Sequence, residues 1–116
     1  MPWAVTFHDE LAAEFADLPR AVQDELLAHA RLLAGFGPTL GRPRVDTLKG
    51  SKIANLKALR FAAAGGVWRV AFAFDENRVT VLLAAGDKRG KAEARFYGAL
   101  IARAEQRFAS WTRGTG

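Results

Sequence analysis

The sequence contains no cysteine, which excludes a disulfide framework and any thiolate site for zinc or for covalent catalysis. It also lacks an uninterrupted apolar run of the ~18 residues that a membrane-spanning helix needs. The start of the chain has neither the basic segment nor the long apolar segment of a secretory signal peptide. We therefore expect a soluble, cytoplasmic protein with no membrane partner.

Proline is scarce, and low-complexity sequence is absent. The 116 residues include only four prolines, half of them are hydrophobic and a quarter are charged, which is typical of folded globular proteins. A chain of this length can bury most of its apolar surface around one core. We expect a single domain over residues 1–113 and a frayed tail at residues 114–116.

Acidic residues are few in the second half of the chain. Lysine and arginine number 17 against 12 aspartates and glutamates, for a net charge of +5. Residues 9–25 hold six acids and one base, residues 42–57 hold five bases and one acid, and residues 88–113 hold seven bases and two acids. Clustered cations favour a polyanion such as nucleic acid, through Coulomb attraction and counterion release. The alternative is a charged surface that only keeps the protein soluble.

Hydrophobic periodicity in the first part of the chain predicts a strand followed by a helical hairpin. Trp3, Val5 and Phe7 alternate with other residues at the period of a strand. Two stretches with helical periodicity follow on either side of Pro19, a residue type that favours the first turn of a helix. The glycines and prolines of residues 36–44 predict a loop after the second helix.

Three strands and a final helix are predicted in the second half. Residues 56–62, 67–74 and 78–85 have the composition of an antiparallel meander, with turn residues between them. An apolar helix face then recurs at Phe96, Leu100, Ile101, Ala104, Phe108 and Trp111. The predicted order is β-α-α-β-β-β-α, an α+β fold in which a twisted, mainly antiparallel sheet packs on helices.

Side-chain alternation assigns each strand residue to one of two sheet faces. In the second meander strand, the alternation predicts a core face made of Trp68, Val70, Phe72 and Phe74. In the third strand it assigns to the same core Val79, Val81 and Leu83, and to an open face Thr80, Leu82 and Ala84. Arg69 belongs to the open face, and a loop of residues 63–66 would set Arg60 directly across from it.

Arg60 and Arg69 would then be two like charges on neighbouring strands. Such a pair is destabilising by itself, so it suggests an anion bound between the two guanidinium groups. The same face carries small residues that would leave a shallow floor for a strand of RNA, namely Ala58, Ala71, Ala73 and Ala84. The alternatives are that the arginines reach an acid such as Asp75, or that the register differs by one residue.

Four spaced motifs carry a resemblance to a known family. They are residues 48–52 (LKGSK), 55–60 (NLKALR), 68–74 (WRVAFAF) and 86–88 (GDK) with Phe96 and Tyr97 after them. In this order, over nearly the whole chain, the sequence resembles the phage-derived HigB branch of the RelE/ParE toxin superfamily. The resemblance implies a RelE-like fold, the toxin of a type II toxin-antitoxin system, and ribosome-dependent cleavage of messenger RNA.

The activity that the resemblance implies is an endoribonuclease that needs no metal and no cofactor. Attack of a ribose 2′-OH on the adjacent phosphate requires a base, stabilisation of the phosphorane and an acid for the leaving oxygen. The implied catalytic residues are Arg60, Arg69, Lys88, Tyr97 and Lys57. The implied RNA-binding residues are Lys49, Lys52, Arg89 and Arg95.

These residues differ in the roles that we predict for them. Arg60 and Arg69 suit phosphate clamps, because a planar guanidinium matches two phosphate oxygens and stays charged. Lys88 would neutralise the phosphorane or donate a proton, and Tyr97 would contact the RNA or else pack within its helix. Lys57 shares the strand phase of the apolar residue two positions later, which leaves its direction open.

Three further titratable residues have open or structural interpretations. His8 beside the first strand and His29 within the second predicted helix are expected to be structural, because neither belongs to the basic sheet face. Asp87 could act as a general base, but we expect it to cap the helix that begins nearby.

The resemblance also implies a partner and leaves alternatives for the function. A cognate antitoxin with a helix-turn-helix DNA-binding domain is the expected protein partner, and messenger RNA on the ribosome is the expected substrate. ParE-like relatives instead inhibit DNA gyrase by protein contact without cutting RNA. A non-catalytic nucleic-acid-binding regulator is the third possibility.

Overall fold

The computed structural model describes residues 3–114, which form a five-stranded sheet and three α-helices. The strands are β1 (Ala4–Phe7), β2 (Val45–Thr47), β3 (Lys57–Ala63), β4 (Gly66–Phe74) and β5 (Val79–Asp87). The helices are α1 (Asp9–Phe15), α2 (Arg20–Phe36) and α3 (Glu93–Gly114), and one 3-10 turn follows α2 at Gly37–Thr39. The predicted order is confirmed, with β2 as an additional strand. Three residues are too few for β2 to show a period in the sequence.

The strands are arranged in the order β1-β5-β4-β3-β2. Only β1 and β5 run parallel, and the other neighbours are antiparallel, so the expectation of a mainly antiparallel sheet is confirmed. The three strands of the meander lie side by side at the centre of the sheet, as their short connections require. Across residues 3–114, no helix combines the length and the apolar character needed to cross a membrane.

Helices cover both faces of the sheet. On one face, which we call the hairpin face after the helical hairpin of α1 and α2, these two helices pack over a core that includes Leu59, Val70, Phe72 and Leu82. On the opposite face, which we call the α3 face, α3 packs over a core that includes Ala58, Ala71, Val81 and Leu83. The face that was expected to be open is therefore largely covered. Ala71, Ala73 and Ala84 leave room for α3 to approach the sheet closely, rather than forming a floor for RNA.

The alternation predicted for β5 is wrong in phase for Val81, Leu82 and Leu83, and right for Ala84. Val81 pairs with Ala73 and Leu82 pairs with Phe72, so Val81 and Leu83 lie on the α3 face and Leu82 on the hairpin face. A bulge then shifts the register, and Ala84 pairs with Ala71. The reason for the error is physical: because both faces are buried, hydrophobicity does not distinguish one strand phase from the other.

Two smaller expectations also change. Trp68 shares the strand phase of Phe72, but it is only half-buried and belongs to neither core. The reason is its position near the start of β4, opposite Asp87. Gly114 is the last residue of α3, so the predicted tail began one residue too early. The remainder of that tail, residues 115–116, lies outside the described residues.

Candidate nucleic-acid interface

The β3–β4 hairpin places two arginines side by side. Its tight turn has positive φ at both central residues, 51° at Ala64 and 75° at Gly65, which is the primed geometry that suits a two-residue hairpin. The resulting register pairs Ala63 with Gly66 and, three positions back, Arg60 with Arg69. The predicted opposition of the two arginines is therefore confirmed.

Arg69 is a buried cation without an acidic partner. Only 6% of its surface is exposed. Its Nε donates a hydrogen bond to Tyr97 Oη at 3.0 Å, and its Nη1 donates to the Trp68 carbonyl at 2.9 Å. No carboxylate oxygen in the described part of the chain lies within 4.0 Å of a side-chain nitrogen of Arg69 or Arg60. A buried charge with only neutral partners is costly, which makes this position suitable for an anion.

Asp75, the acid that the sequence offered as a possible partner, is engaged at the other end of β4. Its Oδ1 accepts hydrogen bonds from the Asn77 and Val79 backbone N–H groups at 2.8 and 3.0 Å. Its Oδ2 accepts a hydrogen bond from Trp111 Nε1 at 3.2 Å. Asp75 therefore holds the β4–β5 turn and the end of α3, and it does not neutralise the arginines.

Lys88 and Glu93 form an ion pair next to the arginines. Lys88 Nζ lies 3.0 Å from Glu93 Oε1 and 6.0 Å from the centroid of the Tyr97 ring. Glu93 begins α3, and Tyr97 follows four residues later on the same side of the helix. The first turns of α3 thus bring a carboxylate and a phenol to the basic end of the sheet.

These groups line one open cavity of about 520 Å³ on the α3 face. Its lining consists of Arg42, Asp46, Thr47, Leu48, Lys49, Ala58, Arg60, Arg69, Lys88, Glu93, Tyr97 and Ile101. Five of the predicted site residues meet here: Lys49, Arg60, Arg69, Lys88 and Tyr97. Cations dominate the lining, so the cavity is suited to a phosphate backbone.

Sequence reasoning missed three charged residues of this cavity. They are Arg42, Asp46 and Glu93. Arg42 Nη2 lies 3.2 Å from Asp46 Oδ2. A hydrogen bond from the Thr47 N–H, followed by the charges of Arg42 and Arg60, holds the pKa of Asp46 below its ordinary value. The i,i+4 spacing of Arg42 and Asp46 was visible in the sequence, but only the pairing of β2 with β3 brings them beside Arg60.

Two predicted site residues lie elsewhere. Lys57 pairs across the sheet with Phe72 and so points to the hairpin face, which removes it from the arginine cluster. Lys52 lines a different cavity with Phe108 and Trp111, and its backbone N–H donates to Glu105 Oε2 at 2.6 Å. In both cases strand phase or loop path, which the sequence left open, decides the direction of the side chain.

Arg89 and Arg95 lie outside the cavity lining as well. Arg89 Nη1 donates to the Gly65 carbonyl in the β3–β4 turn, so this side chain supports the turn. Arg95 is exposed on α3 two residues after Glu93, a spacing that turns the two side chains to different sides of the helix.

Asp87 has a structural role, although not the expected one. Its Oδ1 accepts hydrogen bonds from the Val67 and Arg89 backbone N–H groups, both at 2.9 Å. The N–H group of Arg89 and then that of Val67 hold the pKa of Asp87 below its ordinary value. Because α3 begins only at Glu93, Asp87 does not cap it; it fixes the end of β5 to the start of β4.

Both histidines are structural, as expected. His8 Nδ1 accepts a hydrogen bond from the Glu10 N–H at 3.1 Å and caps α1. His29 is buried in α2, with Nδ1 2.8 Å from the Glu25 carbonyl oxygen and its ring against that of Phe61. Neither histidine lines the basic cavity.

Comparisons with known proteins identify relatives of the chain. Residues 13–109 match the family described as phage-derived protein Gp49-like. Putative toxin HigB3 of Mycobacterium tuberculosis is 39% identical over 108 residues, covering 93% of this chain and 92% of that protein. Putative toxin HigB2 of the same organism is 36% identical over 102 residues, covering 87% of this chain and 50% of that protein. The chain thus spans about half the length of HigB2 and nearly all of HigB3.

A solved structure shares the fold. A mutant of the Escherichia coli toxin RelE in the free state is similar with a TM-score of 0.56 at 16% identity, covering 88% of this chain and 96% of that one. The expected RelE-like fold is therefore confirmed. With the family match and the two toxin relatives, the chain belongs to the Gp49-like, phage-derived family of HigB-like toxins, and it has a RelE-like fold.

Proposed function

We propose that this protein is the toxin of a type II toxin-antitoxin system and that it cleaves messenger RNA on the ribosome without a metal ion. The observation that carries the proposal is Arg69, a buried guanidinium with neutral hydrogen-bond partners that faces a second arginine across a strand pair. A scissile phosphate would supply the missing negative charge. The family membership and the cationic cavity around Arg69 support the same function.

The reaction that suits this cavity is attack of a ribose 2′-OH on the adjacent phosphate. Arg60 and Arg69 hold the two non-bridging oxygens, whose negative charge grows in the phosphorane. Tyr97 positions Arg69 through the hydrogen bond from Nε to its Oη. Lys88 adds a further positive charge at the mouth of the cavity, and Lys49 and Arg42 extend the cationic surface along the RNA backbone.

Two partners follow from this function. A cognate antitoxin, which we propose carries a helix-turn-helix DNA-binding domain, keeps the toxin inactive. The proposed substrate is messenger RNA on the ribosome, and the proposed location of the protein is therefore the cytoplasm. The products are an RNA ending in a 2′,3′-cyclic phosphate and an RNA beginning with a 5′-OH.

The test is cleavage of a defined messenger RNA on purified ribosomes. We expect cleavage by the wild-type protein and a cyclic phosphate on the upstream product. A single 2′-deoxy nucleotide on the 5′ side of the scissile bond should abolish cleavage, because it removes the nucleophile. This substitution tests the chemistry without removing the Mg²⁺ that ribosomes require.

Arg69→Ala should lower the single-turnover rate by about 10²- to 10³-fold, as expected for the loss of a group that stabilises developing negative charge. Arg20→Ala, an exposed arginine on α2, is the matched control and should cleave at the wild-type rate. Circular dichroism should show that both variants are folded. Absence of cleavage by the wild-type protein, together with inhibition of supercoiling by purified gyrase, would replace this proposal with the ParE-like function.

A further inference from the structure

The basic cavity contains carboxylates as well as cations. In the lining that the structure describes, the acids are Asp46 on β2 and Glu93 at the start of α3. Cleavage by 2′-OH attack needs a proton acceptor, whereas lysine and arginine side chains are protonated at neutral pH. A carboxylate of this cavity is therefore the natural candidate for the base.

The two carboxylates differ in how their oxygens are engaged. Asp46 Oδ1 accepts a hydrogen bond from the Thr47 N–H at 2.9 Å, and Oδ2 accepts one from Arg42 at 3.2 Å. Glu93 Oε1 accepts a hydrogen bond from Lys88 Nζ at 3.0 Å, while Oε2 receives no hydrogen bond from any residue between 3 and 114. The Glu93 side chain is also 71% exposed, against 44% for Asp46. Glu93 thus keeps an accessible oxygen for a substrate proton.

We propose that Glu93 and Lys88 are the acid–base couple of the RNA cleavage, with Glu93 as the base and Lys88 as the acid. The inference rests on the proposed function and adds to it the two proton transfers. It uses a basic residue that already adjoins the phosphate clamp, since Lys88 lies over the Tyr97 ring and the Tyr97 hydroxyl binds Arg69.

The cleavage involves two proton transfers between the RNA and the couple. The 2′-OH loses its proton to Glu93 Oε2 as the 2′ oxygen forms a bond to phosphorus. The bond between phosphorus and the 5′ oxygen then breaks, its electron pair stays on that oxygen, and the oxygen takes a proton from the Lys88 ammonium. Glu93 is left protonated and Lys88 neutral at 3.0 Å from each other, so transfer of one proton between them restores the starting state.

Charged groups face this couple from every side of the cavity. Arg60 comes from β3 and Arg69 from β4, while Asp46 comes from β2 and Lys49 from the loop after it. Tyr97 is the titratable neighbour on α3 itself. The cations hold the RNA against the couple, and the phosphate charge offsets their own repulsion when substrate binds.

The experiment is single-turnover cleavage of messenger RNA on ribosomes across a range of pH, with three variants. Glu93→Gln keeps the shape of the side chain but cannot accept the proton, so we expect a rate about 10²- to 10³-fold lower near neutral pH. The wild-type rate should depend less on pH than the Glu93→Gln rate, because an internal base accepts the proton. The Glu93→Gln rate should keep rising about tenfold per pH unit, because solvent hydroxide must then remove the proton.

Two other variants control for charge and for side-chain chemistry. Asp46→Asn should keep the shape of the wild-type pH profile. Glu76→Gln makes the same chemical change in the exposed β4–β5 turn and should leave both rate and profile unchanged. Binding to ribosomes programmed with the uncleavable 2′-deoxy RNA should be as tight for Glu93→Gln as for the wild type, or tighter. The substitution removes a negative charge that repels phosphate.

The outcomes separate this inference from the proposed function. If the wild-type protein cleaves RNA and the Glu93→Gln rate is within about threefold of the wild-type rate, with the same pH profile, the acid–base couple is overturned. The proposed nuclease function would still stand. If Asp46→Asn alone alters the pH profile of the cleavage rate, Asp46 and not Glu93 is the base. A wild-type protein that cuts no RNA on ribosomes would overturn the proposed function itself.

Discussion

At the scale of single residues, burial and hydrogen bonding separate side chains that look equivalent in the sequence. Arg69 and Arg60 are paired across the sheet, but Arg69 is buried and held at both ends of its guanidinium, whereas Arg60 is partly exposed. Arg69 is therefore preorganised for an anion, and Arg60 can adjust to it. Preorganised charge is the form in which a site stabilises a transition state most effectively.

The two aromatic residues Phe72 and Trp68 should differ sharply in their contribution to stability. Phe72 is fully buried in the hairpin-face core, so Phe72→Ala should lower the free energy of unfolding by about 3–5 kcal/mol. Trp68 is half-buried near the start of β4, and Trp68→Ala should lower the free energy of unfolding by less than half as much. Urea unfolding of both variants measures the difference. Equal losses would show that Trp68 belongs to the core as first predicted from strand phase.

Thr80 offers a stabilising substitution. It is fully buried in β5, and its Oγ1 has no hydrogen-bond partner among residues 3–114. Thr80→Val keeps the shape and removes a desolvated hydroxyl, so the free energy of unfolding should rise by about 1 kcal/mol. Thr39→Val is the control, because the Thr39 hydroxyl is exposed and donates to the Phe36 carbonyl; it should not stabilise. Loss of stability in Thr80→Val would contradict the assignment.

At the scale of elements, α3 connects the candidate site to the rest of the fold. Its first two turns supply Glu93 and Tyr97, and its middle packs on the sheet through Leu100 and Ala104. Arg107, further along α3, then contacts two other elements: Nη1 donates to the Leu83 carbonyl of β5, and both Nη atoms contact the Glu14 carboxylate of α1 at 2.6 and 2.9 Å. The helix that carries part of the site is thus held by α1 and β5 together.

The Arg107–Glu14 pair predicts a pH-dependent contribution to stability. Hydrogen bonds from Arg107 hold the pKa of Glu14 below its ordinary value in the folded protein. A lowered folded-state pKa stabilises the fold above the unfolded-state pKa, and this contribution is lost as the pH falls through the folded-state value. Glu14→Gln should therefore cost about 1 kcal/mol at neutral pH, a modest figure because Glu14 is 43% exposed and screened by solvent.

The measurement is urea unfolding of the wild type and Glu14→Gln at a series of pH values. The stability gap between them should narrow as the pH is lowered, since the wild-type carboxylate then becomes neutral too. Glu76→Gln, with its side chain in an exposed turn, should remain within about 0.5 kcal/mol of the wild type throughout. A gap for Glu14→Gln that stays constant with pH would mean that packing, and not charge, accounts for the loss.

At the scale of the whole molecule, the two faces of the sheet differ in charge. The acid-rich residues 9–25 belong to α1, α2 and the turn between them, over the hairpin face, while the cationic cavity opens on the α3 face. The acidic hairpin and the cationic cavity therefore lie on opposite faces of the sheet. Such separation steers an anionic partner to one side.

We expect the antitoxin to cover the basic cavity. The alternative, displacement of α3 over residues 92–108, would require breaking the core around Leu100 and Ala104 and the Arg107 contacts. Hydrogen exchange in the purified complex should show protection at residues 56–61 and 88–97. Association should slow markedly in about 1 M salt, because screening weakens the attraction between opposite charges. Protection confined to residues 9–25 would place the antitoxin away from the site and overturn the electrostatic explanation.

Much of the fold was predictable because local patterns determine it. Periodicities of two and 3.6 residues, together with a short glycine-containing connection at residues 63–66, identified the strands of the meander, the three helices and the opposition of Arg60 and Arg69. A two-residue turn sets the register of a hairpin, and register sets which side chains are opposite each other. The two central cations of the candidate site were therefore determined by the sequence itself.

The tertiary structure decided what local patterns leave open. Because both faces of the sheet are buried, the phase of β5 and the place of α3 over the alanines depended on packing between distant elements. The same packing turned Lys57 to the hairpin face and brought Glu93 from α3 and Asp46 from β2 to the arginines. Charges contributed by elements far apart in the chain leave no joint signal in one sequence. The sequence thus determined the opposed pair Arg60 and Arg69, and the folding of α3 and β2 onto the sheet decided which carboxylates stand beside it.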